Sequence, residues 1–249
     1  MGDRHRQKLT ALAGILVSAS LVLMLPRGAA ATIYSPPWVH VFGSQWGDLD
    51  TTGAATDFVA NLSSGYTRFT ELNKTAAIAM GSAYAQSDAI WVDFGHGNPG
   101  YITFCSPPKG ANCTTVLRSN FDCSQTDGVC LSAYGTLIHH IKLMVFAGCH
   151  TANTPSSGRS LGTQAVSYNG VDSAIAFTGL IYFGGGDQPD HYWATAFAHR
   201  LSVGDTVSAA ATVAAQNVAM HNLFGNAYGW DTQVIWNGGT KVMPPAYGS

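Results

Sequence analysis

Three runs of nearly continuous apolar residues, centred on Val92, Val145 and Ile175, constrain this chain most. A strand with one face in water alternates apolar and polar side chains. A run that does not alternate fits a strand covered on both faces. The runs at 89–94 and 143–147, and a third within 172–183, therefore point to a sheet sandwiched between helices. Helical patterns lie at 54–62, at the Ala-rich 73–86, briefly at 134–141, and at 159–168, which stops at Asn169-Gly170. Two more follow at 190–202 and 206–220, with Asp205 placed to cap the second. Segments 38–42 and 230–236 read as further strands, and 101–104 as a short one after Gly97-Asn-Pro-Gly100. Alternating strands and helices predict an α/β fold with a mainly parallel sheet and helices on both faces. No internal repeat or long charge run interrupts the pattern.

The first 31 residues have the form of a secretory signal. Arg4, Arg6 and Lys8 precede 17 uncharged residues, Leu9 to Leu25, and Ala29-Ala30-Ala31 offers small residues for cleavage. An uncleaved anchor is the competing reading, although a spanning helix needs about 20 residues. Residues 32–37 form a linker in which Pro36 and Pro37 oppose helix. Residues 38–249 are one domain. Four of the 12 Lys and Arg and one of the 14 Asp and Glu fall in the first segment, which leaves the domain near −5. With no basic stripe, that charge argues against a nucleic-acid partner. After signal cleavage no membrane partner is expected. Export permits disulfides. Cys105, Cys113, Cys123 and Cys130 crowd into a polar stretch, about 105–133, that reads as a stapled surface insertion. They can pair in three ways; easy closure of short loops favours Cys105–Cys113 and Cys123–Cys130.

Cys149 is left over. In open parallel sheets, ligands bind beyond the carboxyl ends of the strands. His96 ends one buried run and Cys149 another, and the loops 43–48 and 184–193 fall on the same edge. A cysteine attacks as thiolate, and a neighbouring imidazole can take its proton. Gly148 permits a sharp turn, and the N–H groups of Gly97 and Cys149 could face a developing oxyanion. The bland alternatives are an inert buried thiol at Cys149 and a structural His96. His150 is a rival base, but adjacent side chains diverge. His139-His140 lacks the spacing of a metal site, so no metal is expected. Asp93 is an unusual charge inside a strand and points opposite to His96 by alternation. Asp187 or Asp190 could bind a basic side chain, and Trp193 could form an apolar wall; the favoured, ordinary reading is that Asp190 caps the next helix and Asp187 is solvated. Asp48 and Asp50 are weaker candidates, and Asp172 lies at the wrong edge.

The blocks Ile90-Trp-Val-Asp-Phe-Gly-His96-Gly97 and Leu143-Met-Val-Phe-Ala-Gly-Cys149-His150 resemble the paired signature of the caspase-like cysteine peptidases, the clan of caspases, legumains, clostripain and gingipains. The 53 residues from His96 to Cys149 are similar to the caspase separation. Gly170-Val-Asp-Ser-Ala-Ile-Ala-Phe-Thr-Gly179 and the segment from Tyr192 to Gly204 resemble bacterial members, over roughly 38–236. The chain departs from the pattern at Gly148, where many of these peptidases carry Ala, and in the cysteine-rich insertion. The resemblance implies a three-layer sandwich around a mostly parallel sheet of about six strands. It implies a His96–Cys149 dyad, an oxyanion hole from the Gly97 and Cys149 amides, and a thioester acyl-enzyme. The expectation is an exported cysteine endopeptidase acting on peptide or protein substrates without a cofactor. The alternatives are an inactive secreted binding module on the same fold and a cysteine acyltransferase or transpeptidase.

Overall fold

The computed structural model describes residues 37–46, 49–85, 88–105, 114–184, 187–222 and 224–242, all within the unit that runs from Pro36 to Ser249. The expected signal segment, most of the linker, and Cys113 lie outside the described residues.

The chain begins with β1 (Trp38–Gly43), a small hairpin of β2 (Gln45–Trp46) and β3 (Leu49–Asp50), and helix α1 (Thr52–Asn61). Strand β4 (Thr67–Leu72), helix α2 (Ala76–Ala85) and strand β5 (Asp88–Phe94) follow. Four short strands come next: β6 (Gly97–Asn98), β7 (Tyr101–Cys105), β8 (Thr114–Arg118) and β9 (Gly128–Cys130). A 3₁₀ segment (Leu131–Ile138) leads into β10 (Leu143–Ala147). Helix α3 (Leu161–Thr163) continues as a π-type turn over Gln164–Tyr168 and is followed by β11 (Ala174–Phe177). Helices α4 (Pro189–Ser202) and α5 (Val207–His221) and strand β12 (Gln233–Trp236) complete the described chain.

The main sheet has the order β4-β1-β5-β10-β11-β12; β12 is antiparallel and the other neighbours are parallel. Its strands divide their side chains between two cores. Val39, Val41, Ile90, Val92, Phe94, Val145, Ile175 and Phe177 pack toward α1, α4 and α5. Phe42, Trp91, Met144, Phe146, Ala174 and Ala176 pack toward α2, the 3₁₀ segment and α3. Both faces are covered, which is why the central strands lack alternation. Each large apolar side chain buried this way contributes about 1.5–3 kcal/mol.

Several elements depart from the sequence reading. Strand β4 was not expected: Thr-Arg-Phe-Thr-Glu-Leu is polar because it is an edge strand, with no buried residue. Strand β7 joins a separate four-stranded sheet, β6-β7-β8-β9, rather than the main one. The cysteine-rich stretch is more than a surface insertion. Leu117 and Leu131 are fully buried in the second core, so the stretch closes one side of the fold. The expected helix at 134–141 is 3₁₀ and begins earlier. Thr206 caps α5 by accepting from the Ala209 N–H, while Asp205 pairs with Arg200. The stop at 169–170 holds: Gly170 adopts φ 76° after the π-type turn. Cys123 and Cys130 are disulfide-bonded as expected, and Cys105 is disulfide-bonded. Among the described residues, no helix is long and apolar enough to cross a membrane.

Candidate active site

Strands β5 and β10 are parallel neighbours in which Phe94 lies opposite Ala147. His96 and Cys149 each stand two residues beyond that pair, so equal registers deliver them to one edge. Just beyond the strands, Gly97 and Gly148 have no room for a side chain. A Cβ on Gly97 would lie 2.4 Å from the Cys149 carbonyl oxygen and 2.5 Å from Thr151 Cγ2. A Cβ on Gly148 would lie 2.9 Å from the Gly95 oxygen and 3.0 Å from Gly97 Cα. The segments His96-Gly97 and Gly148-Cys149 therefore touch through their main chains. Gly148 stands where an alanine would press on Gly95 and Gly97.

Two buried threonines that sequence reasoning missed fix these strand ends. Thr51 Oγ1 donates to the Phe94 carbonyl at 2.7 Å and accepts from the Ser44 N–H at 2.8 Å. Thr151 Oγ1 lies 2.8 Å from the Phe146 oxygen and 2.9 Å from the Gly148 oxygen, and accepts from the Phe177 N–H at 3.1 Å. Each hydroxyl thus links the end of a strand to its neighbouring loop. Their only sequence signal is a hydroxyl residue shortly after a strand, which reads equally well as a turn or helix start.

The Thr103 N–H donates to the His96 carbonyl at 2.8 Å. In an antiparallel ladder the next pair, Gly97 with Ile102, is then the non-bonded kind. The Gly97 N–H consequently points away from β7. Half-burial pushes the His96 pKa below the usual imidazole value. Cys149 is a free, partly exposed cysteine packed at the margin of the first core. Its Sγ sits 3.4 Å from both the N–H and the carbonyl oxygen of Ile181, on the segment after β11. No sequence signal points to Ile181, because the contact is through its backbone. His150, the rival base, adopts φ 57° and places Nδ1 2.7 Å from the Thr178 carbonyl, which anchors its ring toward the end of β11.

Two expected substrate contacts are not available as such. Trp193 is fully buried and packs against Phe94, Phe177 and Trp230. It supports the strand ends from below and forms no substrate wall. Asp190 is also fully buried, and its Oδ1 accepts the Gly184 N–H at 2.9 Å. Burial raises its pKa. It closes the loop before α4 and presents no carboxylate to a ligand. Asp187 is exposed and accepts a 2.5 Å hydrogen bond from the Tyr228 hydroxyl. Asp50 accepts from the Thr52 N–H at the start of α1, and Asp172 pairs with Lys142 at 2.6 Å. His139 and His140 bond to the Thr136 and Ala83 carbonyls. Among the described residues no group of His, Cys, Asp or Glu could hold a metal ion.

Asp93 is the unusual acid beside the site. It is fully buried with both carboxyl oxygens unpartnered, and lies level with Phe42 and Phe146 on the neighbouring strands. Burial pushes its pKa well above the ordinary carboxyl value. A raised folded pKa gives stability that is full below the unfolded value, about 3.9, and lost as pH rises toward the folded one. Asp93→Asn removes that titration. Its stability relative to wild type is expected to improve with pH above about 4, by up to about 1.4 kcal/mol per unit. Urea titrations at a series of pH values measure this; a constant difference would show that Asp93 does not enter the fold as the neutral acid.

No protein-family model matches the sequence, and no curated protein matches it. Among solved structures, the Arg-specific cysteine proteinase gingipain R aligns with a TM-score of 0.52 and 10% identity, covering 82% of this chain and 46% of that one. The fold is caspase-like. At this identity the likeness concerns the fold alone, and the chain spans less than half of the gingipain R chain.

Proposed function

We propose that this chain is an exported cysteine endopeptidase, with Cys149 as nucleophile and His96 as its proton acceptor and donor. The observation that carries the reading is main-chain contact between His96-Gly97 and Gly148-Cys149 at adjacent strand ends, with a free, partly exposed cysteine at the tip. Gingipain R, of the same fold, is a cysteine proteinase. Cys149 Sγ attacks the scissile carbonyl carbon while His96 takes the thiol proton. The N–H groups of Gly97 and Cys149 receive the oxyanion. The C–N bond then breaks, His96 protonates the departing amine, and a thioester remains. Water, giving its proton to His96, attacks the thioester, and the thiol leaves and regains the proton. Asp187, the exposed acid on the 184–193 loop, is the remaining candidate of that loop for a substrate contact. Export rests on the signal-like residues 1–31 and the Cys123–Cys130 disulfide.

The test is brief iodoacetamide treatment of the full chain without reductant, followed by peptide mass mapping and a peptide-library assay. The expected result is one adduct, on Cys149, and loss of hydrolysis in proportion to labelling. An unlabelled Cys149, or hydrolysis that survives complete labelling, would overturn the proposal and favour a binding module.

A further inference from the structure

The cleft on the other side of His96 has no role so far. It has a volume of about 460 Å³ and is lined by His96, Tyr101, Arg118, Phe121, Asp122 and Asp127, among others. Its walls come from the four-stranded sheet and the cysteine-rich loop, the part of the chain that departs most from the clan pattern. We infer that this cleft receives the residue on the leaving-group side of the scissile bond and selects a basic side chain there. The leaving-group assignment rests on the peptidase reading above; the charge preference does not.

Position comes first. In the order β5-β10-β11, Cys149 follows the middle strand, Ile181 lies beyond β11, and His96 follows β5. The acyl half of a substrate must reach Cys149 Sγ, whereas the departing nitrogen must reach His96, which protonates it. The residue attached to that nitrogen is thus led past His96, on the β5 side, where the cleft opens. A pocket of this size holds one long side chain and its flanking main chain.

Charge decides what fits. Arg118, whose side chain is only 12% exposed, is held by Asp127 through two hydrogen bonds of 2.7 and 2.9 Å. That pair is internally neutral. Asp122 adds a second carboxylate close enough to stabilise the same guanidinium. His96, with its pKa lowered, brings no charge near neutral pH. The cleft therefore carries a net negative charge. The Tyr101 and Phe121 rings, with centroids 6.4 Å apart and tilted by 46°, supply aromatic surface. A carboxylate surplus beside aromatic faces suits a cation, above all a planar guanidinium. An acidic side chain would meet both aspartates.

The wall is also fixed in place. Asp122 adopts φ 49°, and Cys123, the next residue, is bonded to Cys130 at the end of β9. Gly100 has no space for a Cβ, which would lie 2.6 Å from the Phe121 ring. The disulfide thus holds Phe121 and Asp122 against the His96 side of the site, so the cysteine-rich stretch has a use beyond stability.

The test uses argininamide and its uncharged isostere citrullinamide, which mimic a leaving residue, with the full chain carrying Cys149→Ala. Binding is followed by amide chemical shifts at low salt. Argininamide is expected to bind about tenfold more tightly, with shifts at Tyr101, Arg118 and Asp122. Asp122→Asn, which tolerates the left-handed backbone, should collapse the difference to about twofold or less. Equal affinities, a difference that survives Asp122→Asn, or shifts remote from the cleft would overturn the charge preference. Cleavage by the wild-type chain is measured separately on peptides varied after the scissile bond. Cys149-dependent cleavage with no preference for Arg or Lys at that position overturns the leaving-side assignment. Selective binding without any Cys149-dependent cleavage keeps the cation site and removes the peptidase reading.

Discussion

Replacing Cys149 with alanine is expected to lower kcat/KM for every cleaved peptide by about 10⁴-fold or more, because the covalent route disappears with the sulfur. Folding should change little, since Cys149 is partly exposed at the margin of the first core and its two hydrogen-bond contacts are 3.4 Å interactions with Ile181. His96→Ala should cost a similar factor. The double variant should be scarcely worse than either single one, because residues that act as a unit are not additive. The pH profile of the wild type supplies a second check. Burial lowers the His96 pKa, so the imidazole remains neutral, and able to accept the thiol proton, to lower pH than an ordinary histidine. The acid limb of kcat/KM should therefore lie below about 6.5, with activity falling as pH drops through the lowered value. Single-turnover assays with matched thermal melts make the comparison. A Cys149→Ala protein that keeps turnover within tenfold of wild type would remove the nucleophile from the proposal.

What could be read from the chain follows from how each element is exposed. Strands β5, β10 and β11 were legible because burial on both faces leaves no polar alternation. Their carboxyl ends then located His96 and Cys149, and the short loop between Cys123 and Cys130 suggested the bond the structure contains. Strand β4 was invisible because an edge strand keeps polar side chains and looks like a loop. Asp190 and Trp193 misled for the opposite reason. A polar loop before a helix suggests solvent, yet helix α4 turns both residues inward, and only the tertiary fold decides that. Ile181 could not be found at all, since what it offers Cys149 is an amide and a carbonyl that every residue possesses. The cleft around Arg118 was hidden by the cysteines, whose spacing draws attention to the staple rather than to what the staple holds.

Gly97→Ala is expected to be the more damaging of the two glycine substitutions where the strand ends meet, and its cause is steric rather than conformational. The new methyl would lie 2.4 Å from the Cys149 oxygen, 2.7 Å from the Gly148 carbonyl carbon and 2.5 Å from Thr151 Cγ2. Two of these atoms belong to backbone, and Thr151 is itself tied to Phe146, Gly148 and Phe177. No flexible side chain can give way. The strand ends must separate, which displaces Cys149 from the end of β5. Forcing a side chain into a packed site costs about 1–3 kcal/mol, and here the upper end applies because backbone must move. For a domain of this size that is a fall in Tm of roughly 6–12 °C. Gly148→Ala meets milder contacts, 2.9 Å to the Gly95 oxygen and 3.0 Å to the Gly97 Cα and N, so its loss should be smaller in both stability and rate. Calorimetry and kcat/KM on the two variants test the ranking. Equal, small effects would mean that the segments after β5 and β10 do not share a rigid main-chain contact, and with that the spatial basis for pairing His96 with Cys149 would be lost.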